Sequence, residues 1–458
     1  MSHLSATRLA GLVPAVLGAA LISVPGPAQA GASAGMTGPA RSPWRDAVTT
    51  LDSRNSAGGQ GQGASEEGAI SARGRYVAFT SSAANLGGLD SPGEADVYVR
   101  NQRTGETKLV SQAAAGARPN GRSDRPGISA GGRFMVFAST ASNLVPGDRN
   151  AASDVFVRDL RRGTTRRVSV GPHGVEGNGF SGLPRISANG RQVVFLSQAT
   201  NLVPGDTNGA LDVFVHDVRR GVTSRVSLGD DERQATGDST EPDISGNGRW
   251  VTFFNSSSRL GPGGTTNGAL FVRDRRRGTT EHVIQRTSNG ALPNGPTGVP
   301  RISADGRFVA FVSTATNLVL GDTNDAADVF LSDLRTGSIT RVSMTSAGDE
   351  VNGASTNPTV SAFGRYVAFT SDATNLGSPW SPAGPVEQVY VHDVRRKTTH
   401  PASVNAQGTP GNRRSSRPAL SVNGHQVAFD SAADNLVPDD HNGAPDVFVR
   451  DTVRQPGR

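Results

Sequence analysis

Ile302-Ser303-Ala304-Asp305-Gly306-Arg307-Phe308-Val309-Ala310-Phe311 is one instance of a phrase that also starts at Ile70, Ile128, Ile186 and Ile244, with variants at Val360 and Leu420. The successive spacings are 58, 58, 58, 58, 58 and 60 residues, so the chain repeats one unit along almost its whole length. Around the phrase each copy reads as four strands. Pro300 to Ser303 is the first. A two-residue turn follows, Asn189-Gly190, Asn247-Gly248, Asp305-Gly306 or Asn423-Gly424, made of residues that tolerate positive φ and close tight hairpins. Arg307 to Val312 is the second strand, a loop of the form S-x-A-T-N-L-V-x-G-D-x-N leads to the third at Asp328 to Leu331, and a Gly337 turn leads to the fourth at Ser338 to Met344. Alternation of apolar and polar residues in these segments fits antiparallel pairing.

Four strands repeated seven times predict an all-β, seven-bladed β-propeller of antiparallel blades over residues 48–451. The last copy has only three strands before the chain runs out. Thr49 to Ser53, followed by Asn55-Ser56-Ala57-Gly58, resembles Thr340 to Ser343 followed by Thr345-Ser346-Ala347-Gly348, so residues 48–54 are expected to close the last blade as its fourth strand. Asp52 falls where other copies place Val. Composition agrees with this reading: 57 Gly and 27 Pro suit short strands and tight turns, and an all-helical bundle is excluded. No Cys is present, which excludes disulfides, thiolate metal sites and cysteine nucleophiles.

Arg8, the apolar run Leu9 to Val24, the breakers Pro25-Gly26-Pro27 and then Ala28-Gln29-Ala30 follow the order of a secretory signal peptide. Residues 1–30 are expected to be removed on export, leaving a flexible segment 31–47, the propeller 48–451 and a tail 452–458. The product would be secreted, with no membrane span. The phrases P-x-I-S-A-D-G-R-x-V-A-F and D-V-F-V-x-D-L resemble the TolB-like, WD-repeat-like propellers of bacterial envelope and secreted proteins. The resemblance covers about residues 48–451 and implies a module for binding or scaffolding, in some members joined to a catalytic domain.

Chemistry is sparse in the repeat. Gly127-Ile128-Ser129-Ala130-Gly131 matches G-x-S-x-G, but the same Ser recurs as Ser71, Ser187, Ser245, Ser303, Ser361 and Ser421, in strands and not at a strand-to-helix elbow, so no nucleophile is read there. His216 and His392 stand where other copies carry Arg on the third strand, and no histidine pair has metalloprotease spacing.

D-x-N-x-x-x-D recurs before the third strand as Asp148/Asn150/Asp154, Asp206/Asn208/Asp212, Asp322/Asn324/Asp328 and Asp440/Asn442/Asp446. Such oxygens suit Ca²⁺, although no bidentate Glu closes the loop, and Asp and Asn also fold turns unaided. No cofactor is required, and Ca²⁺ is the candidate ion. Blade 4 has Gly264-Thr265-Thr266-Asn267 at this place, and blade 6 has Trp380-Ser381-Pro382.

Positions that differ among copies carry more information than those that agree. The residue before the first-strand Ile is Arg185, Asp243 and Arg301 in blades 3, 4 and 5, which would charge one side of the channel and make a ligand site for an anionic or zwitterionic group. Arg161-Arg162, Arg219-Arg220, Arg275-Arg276-Arg277 and Arg395-Arg396-Lys397 form a basic fringe, without the interleaved aromatics that nucleic-acid binding needs. The leading expectation is a secreted, monomeric, non-enzymatic binding propeller for a protein, peptide or glycan. A polysaccharide lyase or hydrolase sited in the propeller, and a structural envelope component, are the alternatives.

Overall fold

The computed structural model describes residues 44, 47–90, 93–257, 260, 268–284, 287, 290–376 and 386–452. The segments 1–30 and 453–458, most of 31–47, and the blade 4 and blade 6 loops named above lie outside these residues. The described strands run from Val48 to Asp451 and form seven four-stranded antiparallel sheets. The innermost strands are Ser65–Ile70, Ser123–Ile128, Ser181–Ile186, Ser239–Ile244, Thr297–Ile302, Ser355–Val360 and Ser415–Leu420. Among the described residues no helix is long and apolar enough to cross a membrane.

The recurrent phenylalanines explain why each blade holds together. Phe in the second strand sits directly across from Phe or Tyr in the third, as in Phe137 with Phe156 and Phe311 with Phe330. Their ring centroids are 5.7 Å apart in both pairs. Such a pair contributes about 0.5–1.5 kcal/mol beyond its buried area. The core lies between blades. Val136, Val155 and Val157 of blade 2 pack on Val193, Phe195 and Phe214 of blade 3, and Ile70, Phe79 and Tyr98 of blade 1 pack on Ala428, Val447 and Val449 of blade 7.

The hairpin glycine is a close-approach position as well as a turn. Gly306 has φ +77°, and a Cβ there would lie 2.3 Å from Trp250 of the preceding blade; at Gly190 it would lie 2.2 Å from Phe134. The same hairpins meet around the axis through backbone hydrogen bonds. Ala72 donates to Ala130 O, Ala130 to Ala188 O, Ala188 to Gly246 O and Gly246 to Ala304 O, at 2.9–3.1 Å. Asp305 N continues to Ala362 O, Ala362 N to Val422 O, and Val422 N returns to Ala72 O at 3.0 Å. The hairpins crowd each other here: a Cβ on Gly246 would touch the Cβ atoms of Ala304 and Ala188 at 3.1 and 3.3 Å.

The seam closes as expected from the sequence. Val48–Leu51 is the fourth strand of the last blade, with Thr49 opposite Arg450 and Leu51 opposite Phe448. Asp52 N donates to Val447 O at 2.8 Å, as Val342 N does to Val329 O in blade 5 at 2.9 Å, so the register holds through the mismatched residue. Asp52 is buried, and its carboxylate accepts a hydrogen bond from Gln102 of blade 1.

Candidate functional site

Each innermost strand is broken by a bulge. Pairing with the second strand shifts register between the second and fifth residues, as between Gly182 and Arg185. The third residue takes a left-handed conformation: Glu67, Arg125, Leu183, Glu241, Val299, Asn357 and Arg417, with φ between 47 and 61°. Leu and Val are costly there, so the bulge belongs to the architecture and not to one side chain. On the face where the innermost strands begin, Glu67, Arg125, Asn357 and Arg417 of this column line the channel mouth. Sequence inspection missed this column, although it varies among copies as strongly as the column that was chosen.

The channel holds a cavity of about 320 Å³ whose wall includes Arg185, Asp243 and Arg301, together with Glu67, Arg125 and Arg417. One side is internally neutralised. Arg125 pairs with Glu67 at 3.2 Å, and Arg417 pairs with Glu66 at 2.8 Å and Asp430 at 3.5 Å. Asp430 also accepts the bulge N–H groups of Glu67 and Gly68 at 2.8 and 3.1 Å, and burial lifts its carboxyl to about 7.

The side formed by blades 3 to 5 differs. Arg185 and Arg301 each donate one Nη1 hydrogen bond, to Pro184 O and Pro300 O at 3.1 Å, and neither is bonded to a carboxylate among the described residues. Asp243 stands on the intervening blade and accepts Ile302 N–H at 2.9 Å. Burial and then repulsion from Arg301 pull Arg185 down to about 10. Burial raises Asp243, against the pull of Arg301 and Arg185. The sequence placed these three together, and the structure brings them to one wall with most of their guanidinium donors unused.

The D-x-N-x-x-x-D loops hold their carboxylates around a guanidinium. Arg167 Nη1 lies 3.5 Å from Asp148 and 3.2 Å from Asp154 and also bonds Glu176. Arg225 lies 3.1 Å from both Asp206 and Asp212, with Gln234 at 2.7 Å. Arg341 lies 3.3 Å from Asp322 and 3.5 Å from Asp328 and bonds Glu350. The groups Asp148/Asp154/Glu176 and Asp322/Asp328/Glu350 are each close enough to hold an ion. In both, the arginine supplies the cationic charge.

Each Asn works as a turn former. Asn150 Oδ1 accepts Ala152 N–H at 2.8 Å while its Nδ2 donates to Asp154 at 3.1 Å and to Gly177 O at 2.9 Å. Asn208 and Asn324 repeat this pattern, and so does Asn442. In blade 7 Leu51 occupies the arginine's register position, and Gln60 bridges Asp440 and Asp446 at 2.8 and 2.7 Å.

The remaining candidates are structural. Ser129 is buried, and its Oγ accepts Phe134 N–H at 3.0 Å across the hairpin, as its equivalents do in other blades. His216 and His392 are buried, bond Thr223 and Thr399 at 3.0 and 2.9 Å, and are lowered by burial to about 4. In blades 1, 4 and 7 an arginine at this position reaches the carbonyls of the preceding blade. The basic fringe sits on the third-to-fourth strand turns, on the face opposite the charged mouth, where Asp159, Asp217, Asp274 and Asp393 cap the turns by accepting N–H groups.

No protein-family model matches the chain, and no curated protein matches it. Solved structures do. An oligogalacturonate lyase from Vibrio parahaemolyticus is 12% identical with a TM-score of 0.52, covering 90% of this chain and 92% of its own. The β-propeller domain of the trilobed protease from Pyrococcus furiosus, described as having an open velcro topology, is 10% identical with a TM-score of 0.51 over 86% and 99%. A putative TolB from Agrobacterium tumefaciens is 18% identical over 71% and 89%, with a TM-score of 0.38. At these identities the likeness is one of fold. Unlike the open velcro domain, this chain closes its seam with Val48–Leu51.

Proposed function

We propose that this chain is an exported binding propeller that takes an acidic group of a peptide or glycan into the charged mouth of its channel, without catalysis. The carrying observation is the pair Arg185 and Arg301, two guanidiniums on one wall with no carboxylate bonded to either among the described residues. Guanidinium forks bind carboxylates through charge-assisted hydrogen bonds, and a half-buried site strengthens them. Asp243 between them favours a ligand that also carries a donor. Export rests on the order of residues from Arg8 to Ala30. Calcium has no necessary part in this reading.

Calorimetry of residues 31–458 against acidic peptides and uronate-containing oligosaccharides tests it. Arg185→Gln/Arg301→Gln should weaken the best ligand by about 3–6 kcal/mol, the loss of two charge-assisted contacts at about 1.5–3 kcal/mol each. Undiminished affinity in that variant would reject the site.

A second reading, a lyase on acidic glycans, uses the same wall, with the arginines on the uronate carboxylate and Asp243 as base. Its support is the raised Asp243 carboxyl beside two cations. Release of unsaturated sugar, followed in the ultraviolet and lost in Asp243→Ala, would replace the binding reading with this one.

A further inference from the structure

On the face opposite the charged mouth, between blades 2 and 3, lies a second cavity of about 360 Å³. Its floor is apolar: Phe134 and Val218 pack on the core shared by the two blades, and Val157 is buried beside them. Two of its arginines are already committed. Arg133 stacks on Phe134 at 4.7 Å and grips Asp159 through two hydrogen bonds of 3.0 and 2.6 Å, and Arg191 pairs with Asp217 at 3.0 Å.

Three others surround the cavity with little or no compensation. Arg162 approaches Asp159 only to 4.0 Å, and exposed Arg166 and Arg219 are bonded to no carboxylate among the described residues. Arg166 is the cross-strand partner of Val157, so it stands on the side of the sheet that faces blade 3.

Neighbouring interfaces show what is particular here. Val218 follows the strand-end Asp217 as Arg275 follows Asp274, and their N–H groups bond Arg191 O and Arg249 O alike. Between blades 3 and 4 the Arg275 side chain fills the corresponding groove, donating to Gly248 O at 2.7 Å and Gln192 at 3.2 Å. Between blades 5 and 6 Phe308 and Val394 recur, but Thr340 replaces Arg166 and Thr336 replaces Arg162. Only at the blade 2–3 interface, of these three, do an open apolar floor and unmatched guanidiniums coincide.

We infer that the blade 2–3 cavity is a second binding site, for a small amphipathic organic anion whose apolar group rests on Phe134, Val157 and Val218 and whose acidic head is held by Arg162, Arg166 and Arg219. Apolar floors with a few convergent polar groups are the usual form of small-ligand sites, and the head group must be anionic because the rim is cationic. This site is separate from the channel wall and stands whether or not the channel reading does.

The probe is 8-anilinonaphthalene-1-sulfonate, titrated by fluorescence into residues 31–458 at neutral pH. Arg166→Gln/Arg219→Gln should weaken it by at least about tenfold, the loss of one charge-assisted contact. Val218→Arg, which copies the filled groove of blade 4, should abolish it with an unchanged unfolding temperature. N-phenyl-1-naphthylamine, the neutral counterpart, should bind at least about tenfold more weakly. Competition by decanoate or by indole-3-acetate distinguishes an acyl from an aromatic source. Equal probe affinity in a folded Val218→Arg protein, or in the exposed-arginine variant, overturns the proposal; so does equal affinity for the neutral compound.

Discussion

At the level of single residues, the repeat conceals different jobs under identical letters. Gly306 and Gly147 have nearly the same φ, +77 and +78°, but a Cβ at Gly147 meets nothing within 4 Å whereas at Gly306 it meets the Trp250 ring. Gly147→Ala therefore measures backbone strain alone, of roughly 1 kcal/mol, and Gly306→Ala adds overpacking of about 1–3 kcal/mol. Urea unfolding of the two variants checks the difference, and equal losses would mean that the Trp250 contact is soft. Arg341 makes a sharper case. It is buried against Asp322, Asp328 and Glu350, so Arg341→Met leaves three acids uncompensated, at a cost of about 3–5 kcal/mol. The wild type should melt at the same temperature with calcium or with chelator. The variant should recover stability in calcium, because the ion would then replace the guanidinium. A melting temperature of the wild type that falls on chelation would show instead that the loops hold metal despite the arginine.

At the level of strands and loops, what the sequence revealed was whatever repeats at a fixed spacing: the four strands, the hairpin turns, the closing strand and the column holding Arg185, Asp243 and Arg301. What it hid was contact between positions far apart in the repeat. Arg167 reaches Asp154 from 13 residues away on another strand, so a pattern read within the loop showed its carboxylates but not the guanidinium among them. The bulges at Leu183 and Val299 have no signature, because Leu and Val disfavour the left-handed backbone that both adopt there.

The third-strand histidines follow the same logic and carry a pH prediction. His216 and His392 fold with values near 4, below the 6.5 of an exposed histidine. Between those values the unfolded chain binds more protons, so their contribution is complete above pH 6.5 and is lost as pH falls toward 4, by up to about 3 kcal/mol each. Asp148 and Asp328, lifted to about 6 mainly by burial, act in the opposite sense, since the folded state keeps their protons to higher pH. Comparing wild type with His216→Arg/His392→Arg, which restores the arginine of blades 1, 4 and 7, isolates the histidine part. The variant should lose less stability than the wild type between pH 6.5 and 4, and parallel melting curves over that range would refute the assignment.

At the level of the whole molecule, a seven-membered circle is only as strong as its seam, because each core cluster is shared by two blades and an opened ring leaves one cluster on each side half covered. Here the seam has three independent parts. Leu51 joins the core between blades 6 and 7; Thr49 Oγ1 and Arg450 Nη1 both bond Val404 O, tying strand Val48–Leu51 to blade 6; and Ser53 and Gln60 carry the chain across Asp446 into blade 1. The axial bond from Val422 N to Ala72 O joins blades 7 and 1 by a route that does not use the closing strand. Removing residues 1–51 deletes the strand but spares the axial bond, exposing the long edge Asp446–Asp451. That protein is expected to remain folded, melt at lower temperature and self-associate through the open edge as its concentration rises, which analytical ultracentrifugation would reveal. If the shorter chain stayed monomeric and melted like the parent, ring integrity would rest on the axial hydrogen bonds and blade packing alone.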